Sequence, residues 1–349
     1  MAEKNAAIAQ TQSGRAPSPC RIHDKDGSAA GVSEITASRA LRGGAGVAPR
    51  TLERVRSVAR DLNYLPNRLA GALAGGPSRQ VAVILPSLSN IVFSDVLKGL
   101  ETRLDQAGYH LILGISNYDA AQEERLIAEL LAWRPAGIIL AAAASTPRTR
   151  AMLGAAGMPV IEIMDIDHAP IDIAVGLSQQ AAGRAVAHYL LGRGYRRFAY
   201  LGHDISTDPR AVSRLAGLRE GLAGTGAVLE TELTLEGPST VPLGRQAMAK
   251  LLDAREPGGL AVCFSNDDMA VGGMFHCMAA GLEVPRDIAL AGFNGLDIGQ
   301  ALPQPLTSIA SHREQIGAEA ASALLLRLSG GEPARIIDVG FRLIPGATA

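Results

Sequence analysis

The 349-residue chain is poor in cysteine, in aromatics and in long apolar runs. Its three cysteines, Cys20, Cys263 and Cys277, show no CxxC spacing. That excludes a disulfide framework or a structural zinc site as the basis of the fold and fits a reducing compartment. Aromatics are only 4% of residues, with one tryptophan, so the core must be built from small and aliphatic side chains. No run reaches the ~20 apolar residues of a membrane span. Met1 to Cys20 is polar and Ala-rich, without the apolar stretch of a secretory signal. These absences predict a soluble, cytoplasmic protein with no membrane partner. Catalytic signatures are missing too: there is no P-loop, no HExxH and no GxSxG elbow. Gly224-Thr225-Gly226 does not follow a strand and is no dinucleotide fingerprint. His203, His276 and His312 are scattered and read as structural, and no nucleophile–base pairing is visible. The expectation is a protein that is not an enzyme and uses no cofactor and no metal.

What is present is a charge asymmetry hidden by a formal net charge of −1. Residues 1–79 carry 12 Lys and Arg against 6 Asp and Glu, and the remaining residues carry 21 against 28. A basic N-terminal piece on an acidic body points to a polyanion partner for that piece alone. Residues 1–22 read as a disordered extension. In the basic piece, Ser33 is a plausible N-cap for a helix over Glu34–Leu41, and Pro49 or Arg50 opens another through about Leu62. Gly43-Gly44-Ala45-Gly46 lies between them. Pro66 blocks continuation beyond Tyr64, and a short apolar helix then runs to a Gly75-Gly76-Pro77 breaker.

From Gln80 onward short apolar strands alternate with helices. Strands are expected at Val81–Leu85, His110–Gly114, Gly137–Leu140, Met158–Ile163, Arg197–Leu201, Leu260–Phe264 and Ile288–Ala291. Helices are expected over Asp95–Ala107, Gln122–Trp133, 147–156, Gln179–Gly192, Arg210–Ala223 and Asp268–Ala280. This alternation predicts parallel sheets covered on both faces. The units are too many for one compact sheet, so two doubly wound lobes are expected, with a ligand cleft at the carboxyl ends of the strands.

Gly31-Val32-Ser33-Glu34-Ile35-Thr36-Ala37-Ser38-Arg39-Ala40-Leu41 reads as the turn and second helix of a helix-turn-helix. An ordinary surface helix is the alternative. Together with Tyr64-Leu65-Pro66-Asn67-Arg68 and Leu73, it resembles the headpiece and hinge of the LacI/GalR family of bacterial repressors. The resemblance runs through residues 25–345. Pro86–Asn90, Val92-Phe93-Ser94, Thr146–Thr149, Ile171–Gly176, Ala291-Gly292-Phe293, Asp297–Gln300 and Asp338–Phe341 are similar to its gluconate-operon repressor branch.

The resemblance implies an α/β protein: a helix-turn-helix headpiece (23–65), a hinge helix and linker (66–79), and a two-lobed periplasmic-binding-protein-like core with parallel doubly wound sheets (80–345). The lobes would cross near 174 and 305. It implies a homodimer, or a higher oligomer, on double-stranded palindromic operator DNA. Glu34 and Ile35 would read bases, with Ser33, Thr36, Ser38 and Arg39 anchoring the helix. Asn67 and Arg68 would contact DNA at the hinge, and Leu73 would wedge into the minor groove. Lys25-Asp26-Gly27 departs from the family, because a charge and a Gly stand where the first helix buries apolar groups. Gly71 further weakens the hinge helix.

In the core, Arg210 and Arg214 are four apart and share a helix face. Two guanidinium groups at a cleft suit a carboxylate or phosphate, and the resemblance makes Arg214 the effector-binding arginine. Asp165 matches the family's pocket acid. Asn266 and Asn294 end strands and face the same cleft by resemblance, and Asn294 replaces the family's usual Asp. Phe93 stacks on a ligand or caps the core, and Asn90 completes the set. The expected effector is a sugar acid, gluconate or its 6-phosphate. The alternative is a soluble sugar-acid-binding protein with a degenerate headpiece. A stripe of Val96, Leu97, Leu100 and Leu104 reads either as a subunit interface or as sheet packing.

Overall fold

The computed structural model describes residues 30–41, 46–62, 64, 78–141, 146–254 and 257–349. Two compact units divide the chain, Met1–Pro77 and Ser78–Ala349.

In the first unit, α1 (Glu34–Leu41) follows a turn at Gly31, whose φ is +62°. Thr36 N donates to Ser33 Oγ at 3.3 Å, so Ser33 caps the helix as its sequence indicates. The next helix, α2 (Pro49–Asp61), opens on a proline, whose missing N–H leaves no orphan donor at that position. Ala30, Ala37, Ala40 and Val55 are buried together, with Val32, Leu52 and Val58 packed on them. The extension 1–22, Lys25-Asp26-Gly27 and the hinge residues Asn67, Arg68, Gly71 and Leu73 lie outside the described residues.

The second unit holds two parallel sheets. The first contains β1 (Gln80–Leu85), β2 (His110–Ile115), β3 (Gly137–Leu140), β4 (Val160–Ile163) and β5 (Ile173–Gly176). Helices α3 (Ile91–Gln106), α4 (Ala120–Ala132) and α5 (Pro147–Ala155) connect them. After Gly176 the chain passes to the second sheet through α6 (Gln179–Gly192). That sheet contains β6 (Arg197–Gly202), β7 (Val228–Thr234), β8 (Leu260–Phe264) and β9 (Ile288–Ala291), with α7 (Pro209–Leu222), α8 (Val241–Ala254), α9 (Asp267–Ala279) and the short α10 (Asp297–Gln300). The chain then returns. β10 (Ser308–Ala310) leads into α11 (Arg313–Leu328), which packs on α3. β11 (Ile336–Asp338) closes the first sheet beside β5, and β12 (Arg342–Ile344) pairs antiparallel with β10. Strand order is β11-β5-β4-β3-β1-β2 in the first sheet and β7-β6-β8-β9 in the second. The chain therefore joins the two lobes at three places, one more than the two crossings expected.

Most expected elements shift by a residue or two and the start of α3 by four, for reasons the caps supply. α3 starts at Ile91 rather than Asp95 because Asn90 Oδ1 accepts from Val92 N at 3.1 Å. α4 starts at Ala120 because Asp119 caps it. Three longer elements escaped the reading: β7, α8 and α11. β7 is a half-exposed edge strand rich in Glu and Thr, so it lacks the apolar run of a buried strand. The apolar stripe Val96, Leu100 and Leu104 is fully buried, and α3 packs against α11. These three side chains pack the sheet and the helix pair, whereas Leu97 of the same stripe is only half-buried. Among the described residues, no helix is long and apolar enough to cross a membrane.

Candidate functional site

Between the carboxyl ends of the two sheets lies a cavity of about 410 Å³. Its position follows from the topology, because parallel strands leave their loops and the following helix N-termini at one end. Of the core residues singled out from sequence, Asn90, Phe93, Arg210, Arg214, Asn266 and Asn294 line it. Asp165 does not. Its Oδ1 accepts from Asp167 N at 2.9 Å, and Met164, one residue earlier, lines the cavity instead. Burial pushes the Asp165 carboxyl above its ordinary pKa.

The cationic wall is made by α6 and α7. These helices cross at glycines: a Cβ on Gly183 would lie 2.0 Å from Arg214 O, and one on Gly217 would lie 2.0 Å from Gln180 O. No side chain fits at either position, and the close approach brings Gln179 to Arg214. Gln179 Oε1 accepts from Arg214 Nη1 at 2.8 Å, and Ser265 O accepts from Nη2 at 3.2 Å. The guanidinium carbon sits 4.2 Å from the Phe293 ring centroid, a cation–π distance. Burial lowers the Arg214 pKa, though a guanidinium still keeps its charge at neutral pH.

Arg210 is held differently. Asp208 caps α7, its Oδ1 accepting from Arg210 N at 3.2 Å and from Arg210 Nε at 3.1 Å. Burial opposes both charges most strongly. The pairing outweighs it, raising the Arg210 pKa and driving the Asp208 carboxyl far below the carboxylate range, with His203 and Arg214 assisting. Arg210 Nη1 is buried and has no hydrogen-bond partner. Ser239 Oγ, also at the cavity, is buried and unpartnered as well. Unmet polar groups of this kind are costly in an empty site and favourable in an occupied one.

Sequence reading missed several lining residues. Asp208 was legible as an N-cap before Pro209, which aims it at the same helix end as Arg210. His203, read as structural, lines the cavity; its Nδ1 lies 2.9 Å from Ser265 Oγ and its Nε2 lies 3.6 Å from Asp208 Oδ2. This puts Ser, His and Asp in a row that sequence did not reveal. Ser265 is only 1% exposed and does not line the cavity, and Asp208 is committed to Arg210. The row orients Asp208 and offers no accessible nucleophile. Tyr118, whose hydroxyl lies 3.4 Å from Asn90 Nδ2, follows Asn117 in a left-handed pair with φ of +59° and +52°. Such conformations collect at ligand sites and are hard to see in sequence.

Asn294 has φ +105° and donates from Nδ2 to Asn266 Oδ1 at 3.1 Å. Its loop is pinned by Asp267, a residue the sequence reading passed over. Asp267 Oδ2 accepts from Leu296 N at 2.6 Å and Oδ1 from Ser308 Oγ at 2.7 Å. Burial pushes the Asp267 carboxyl up to about 7.

In the first unit, Ser33, Glu34, Ile35 and Arg39 are exposed on α1, and Thr36 and Ser38 are half-buried. Ile35 is 67% exposed while Ala37 and Ala40 are buried, so the helix has one packed and one open face.

Two family models match the chain. Residues 28–67 match bacterial regulatory proteins of the lacI family, and residues 78–338 match periplasmic binding proteins and the sugar-binding domain of the LacI family. The HTH-type transcriptional regulator GntR of Pseudomonas aeruginosa is 40% identical over 317 residues, covering 90% of this chain and 92% of the relative. A crystal structure of a LacI-family transcriptional regulator from Silicibacter pomeroyi superposes with a TM-score of 0.88 at 38% identity, covering 93% of this chain and 98% of that one. The lac repressor dimer bound to operator and the anti-inducer ONPF gives 0.83 at 26% identity, over 95% and 99% of the two chains. The chain belongs to the LacI family of bacterial transcriptional regulators.

Proposed function

We propose that this protein is a repressor whose affinity for a palindromic operator is controlled by a sugar acid bound between its lobes, with gluconate as the effector. The observation that carries the reading is Arg210 Nη1, a buried cationic donor with no partner, on a residue that lines a cavity where hydroxyl and amide side chains stand beside the charged Arg214, Asp204, Asp208 and Asp268. A carboxylate satisfies that donor, and a polyol chain suits Ser87, Ser89, Asn90, Ser239, Thr240 and Asn266. The free acid is favoured over its 6-phosphate. Nη1 and Nη2 of Arg214 each already donate one hydrogen bond, to Gln179 and Ser265, no lysine is among the described lining residues, and Asp204 and Asp268 face the same cavity. A second anionic group meets those carboxylates rather than a counter-charge.

Glu34 and Ile35 are the proposed base-reading residues, with Ser33, Thr36, Ser38 and Arg39 as anchors and Asn67, Arg68 and Leu73 as hinge contacts. A homodimer matches a palindrome, because each headpiece reads one half-site. The independent apolar cluster of α1 and α2 favours a working headpiece over a degenerate one. The test is calorimetry of the purified chain against gluconate, 6-phosphogluconate and 2-ketogluconate, followed by operator gel shifts with and without the binder. Gluconate is expected to bind at least tenfold more tightly than its phosphate and to weaken the operator complex. Absence of heat with all three would overturn the effector assignment.

A further inference from the structure

The loop carrying Phe293 and Asn294 belongs to the second lobe, yet one side chain ties it to the first. Arg313, the first residue of α11, donates from Nη1 to the backbone carbonyl of Asn294. The same guanidinium donates from Nε to Asp95 Oδ2 at 2.8 Å. Asp95 lies on α3, two residues beyond Phe93, which lines the cavity and lies 5.6 Å from the Arg210 guanidinium carbon. The Arg313 side chain is 14% exposed and Asp95 42%, so the pair is shielded from solvent on the Arg313 side only.

The surroundings make this link stiff. α3 and α11 cross at glycines, where a Cβ on Gly99 would lie 2.1 Å from Glu314 O and one on Gly317 would lie 2.1 Å from Val96 O. Displacing Arg313 therefore displaces α3 with it. At the other end, Asn294 holds a left-handed φ of +105°, a conformation that L side chains adopt only when neighbours fix it. Its own lobe supplies Ile309 O for Asn294 N at 2.9 Å and Ser308 Oγ for Gly295 N at 3.1 Å. Arg313 holds the carbonyl from the opposite lobe.

We propose that Arg313 is a positioning residue that couples occupancy of the cavity to the first lobe: it fixes Asn294 and Phe293 for ligand binding and passes their displacement to α3 through Asp95. The proposal rests on the cavity's being the effector site. A purely structural ion pair would stabilise the fold and leave ligand response alone. A coupling residue changes affinity and response together, because the ligand then acts on the same two-state element.

The test uses the full chain with Arg313→Gln, Arg313→Lys, Asp95→Asn and the Asp95→Asn/Arg313→Gln double variant. Gluconate affinity is read by calorimetry and operator affinity by gel shift with and without gluconate. Arg313→Gln is expected to weaken gluconate binding about tenfold and to cut the gluconate-induced change in operator affinity several-fold. Arg313→Lys, which keeps one charged donor, falls between. The double variant is expected to be no worse than Arg313→Gln, since both remove one link. Hydrogen exchange without ligand tests the link independently: Arg313→Gln should speed exchange in both residues 294–296 and the first turns of α3. A lower melting temperature with gluconate affinity within twofold of wild type, an unchanged operator response, or faster exchange confined to α11, would overturn the proposal. Should wild type itself ignore gluconate, the ligand assignment fails while the exchange result still decides the link.

Discussion

On the second-lobe wall of the cavity, Asp208, Arg210 and Arg214 are each less than a tenth exposed and locked into fixed geometry before any ligand arrives. On the first-lobe wall, Ser87, Ser89, Asn90 and Phe93 carry no charge, and the serine hydroxyls bond one another at 3.0 Å. Under the proposed function the difference separates two tasks. Charge recognition sits where the desolvation of the cation is already offset by Asp208 and where neighbouring helices prevent relaxation. Hydroxyl recognition sits on groups that reorient at little cost. Under the proposed function, a ligand that needs both walls would draw the lobes together, giving the cavity a mechanical effect as well as an affinity.

The sharpest way to break this comparison is Arg210→Ala. It removes a buried cationic donor that has no partner and leaves Asp208 buried without its main counter-charge. Gluconate affinity should fall at least a hundredfold by calorimetry, and denaturant unfolding should show a loss of about 3–5 kcal/mol, the range for a broken buried pair. A stable variant that still binds would mean that the cationic wall is not the recognition wall.

The first lobe also buries charged groups of its own, Glu123 among them, that disturb the contrast. Glu123, in the first turn of α4, is 5% exposed, and its Oε1 has no partner. Burial, with Glu162 adding repulsion and Arg210 opposing, pushes its carboxyl up to about 7. The native state thus holds this proton more tightly than the unfolded chain, so stability falls as pH rises from about 4.5 toward 7. Glu123→Gln removes that dependence. Between pH 4 and pH 8 the variant should gain on wild type by at most about 3 kcal/mol, read from melting curves at both pH values. Parallel curves at the two pH values would show that Glu123 finds a partner in solution.

Next comes the crossing that positions Arg214. Gly183→Ala places a methyl group against the Arg214 carbonyl, which as backbone cannot step aside. Overpacking of this kind costs about 1–3 kcal/mol, and the displaced α7 should weaken gluconate severalfold. Unchanged affinity alongside a lowered melting temperature would show that helix spacing and ligand geometry are independent.

The alternation of strands and helices was readable because each buried strand is an uninterrupted apolar run, as in Val81–Leu85 and Leu260–Phe264. β7 was not, because an edge strand with one open face carries Glu and Thr. Within the site, Arg210 and Arg214 were legible by helical spacing, and Asn266 and Asn294 by their place after strands. Asp165 misled because position in a loop does not fix where a short side chain turns, and its carboxylate closes its own loop instead. His203, Gln179 and Tyr118 were hidden because helix crossings and left-handed turns bring them in from distant segments. No local pattern records such contacts.

The smallest expected effect tests the neutral wall. Asn90 contributes its Oδ1 to the cap of α3 and its amide nitrogen to Tyr118 at the cavity edge. Asn90→Ala should therefore cost about 1 kcal/mol of stability through the lost cap and about fivefold in gluconate affinity, the worth of one neutral hydrogen bond. Asn90→Asp keeps the capping oxygen but places a carboxylate near the bound acid. It should restore the melting temperature while binding gluconate more weakly than the alanine variant. That opposite movement of stability and affinity is what a neutral wall demands, since only a ligand carrying negative charge penalises the added carboxylate. If Asn90→Asp instead bound gluconate as well as wild type, the charge on that wall would be irrelevant, and the division of labour between the two sides of the cavity would fall.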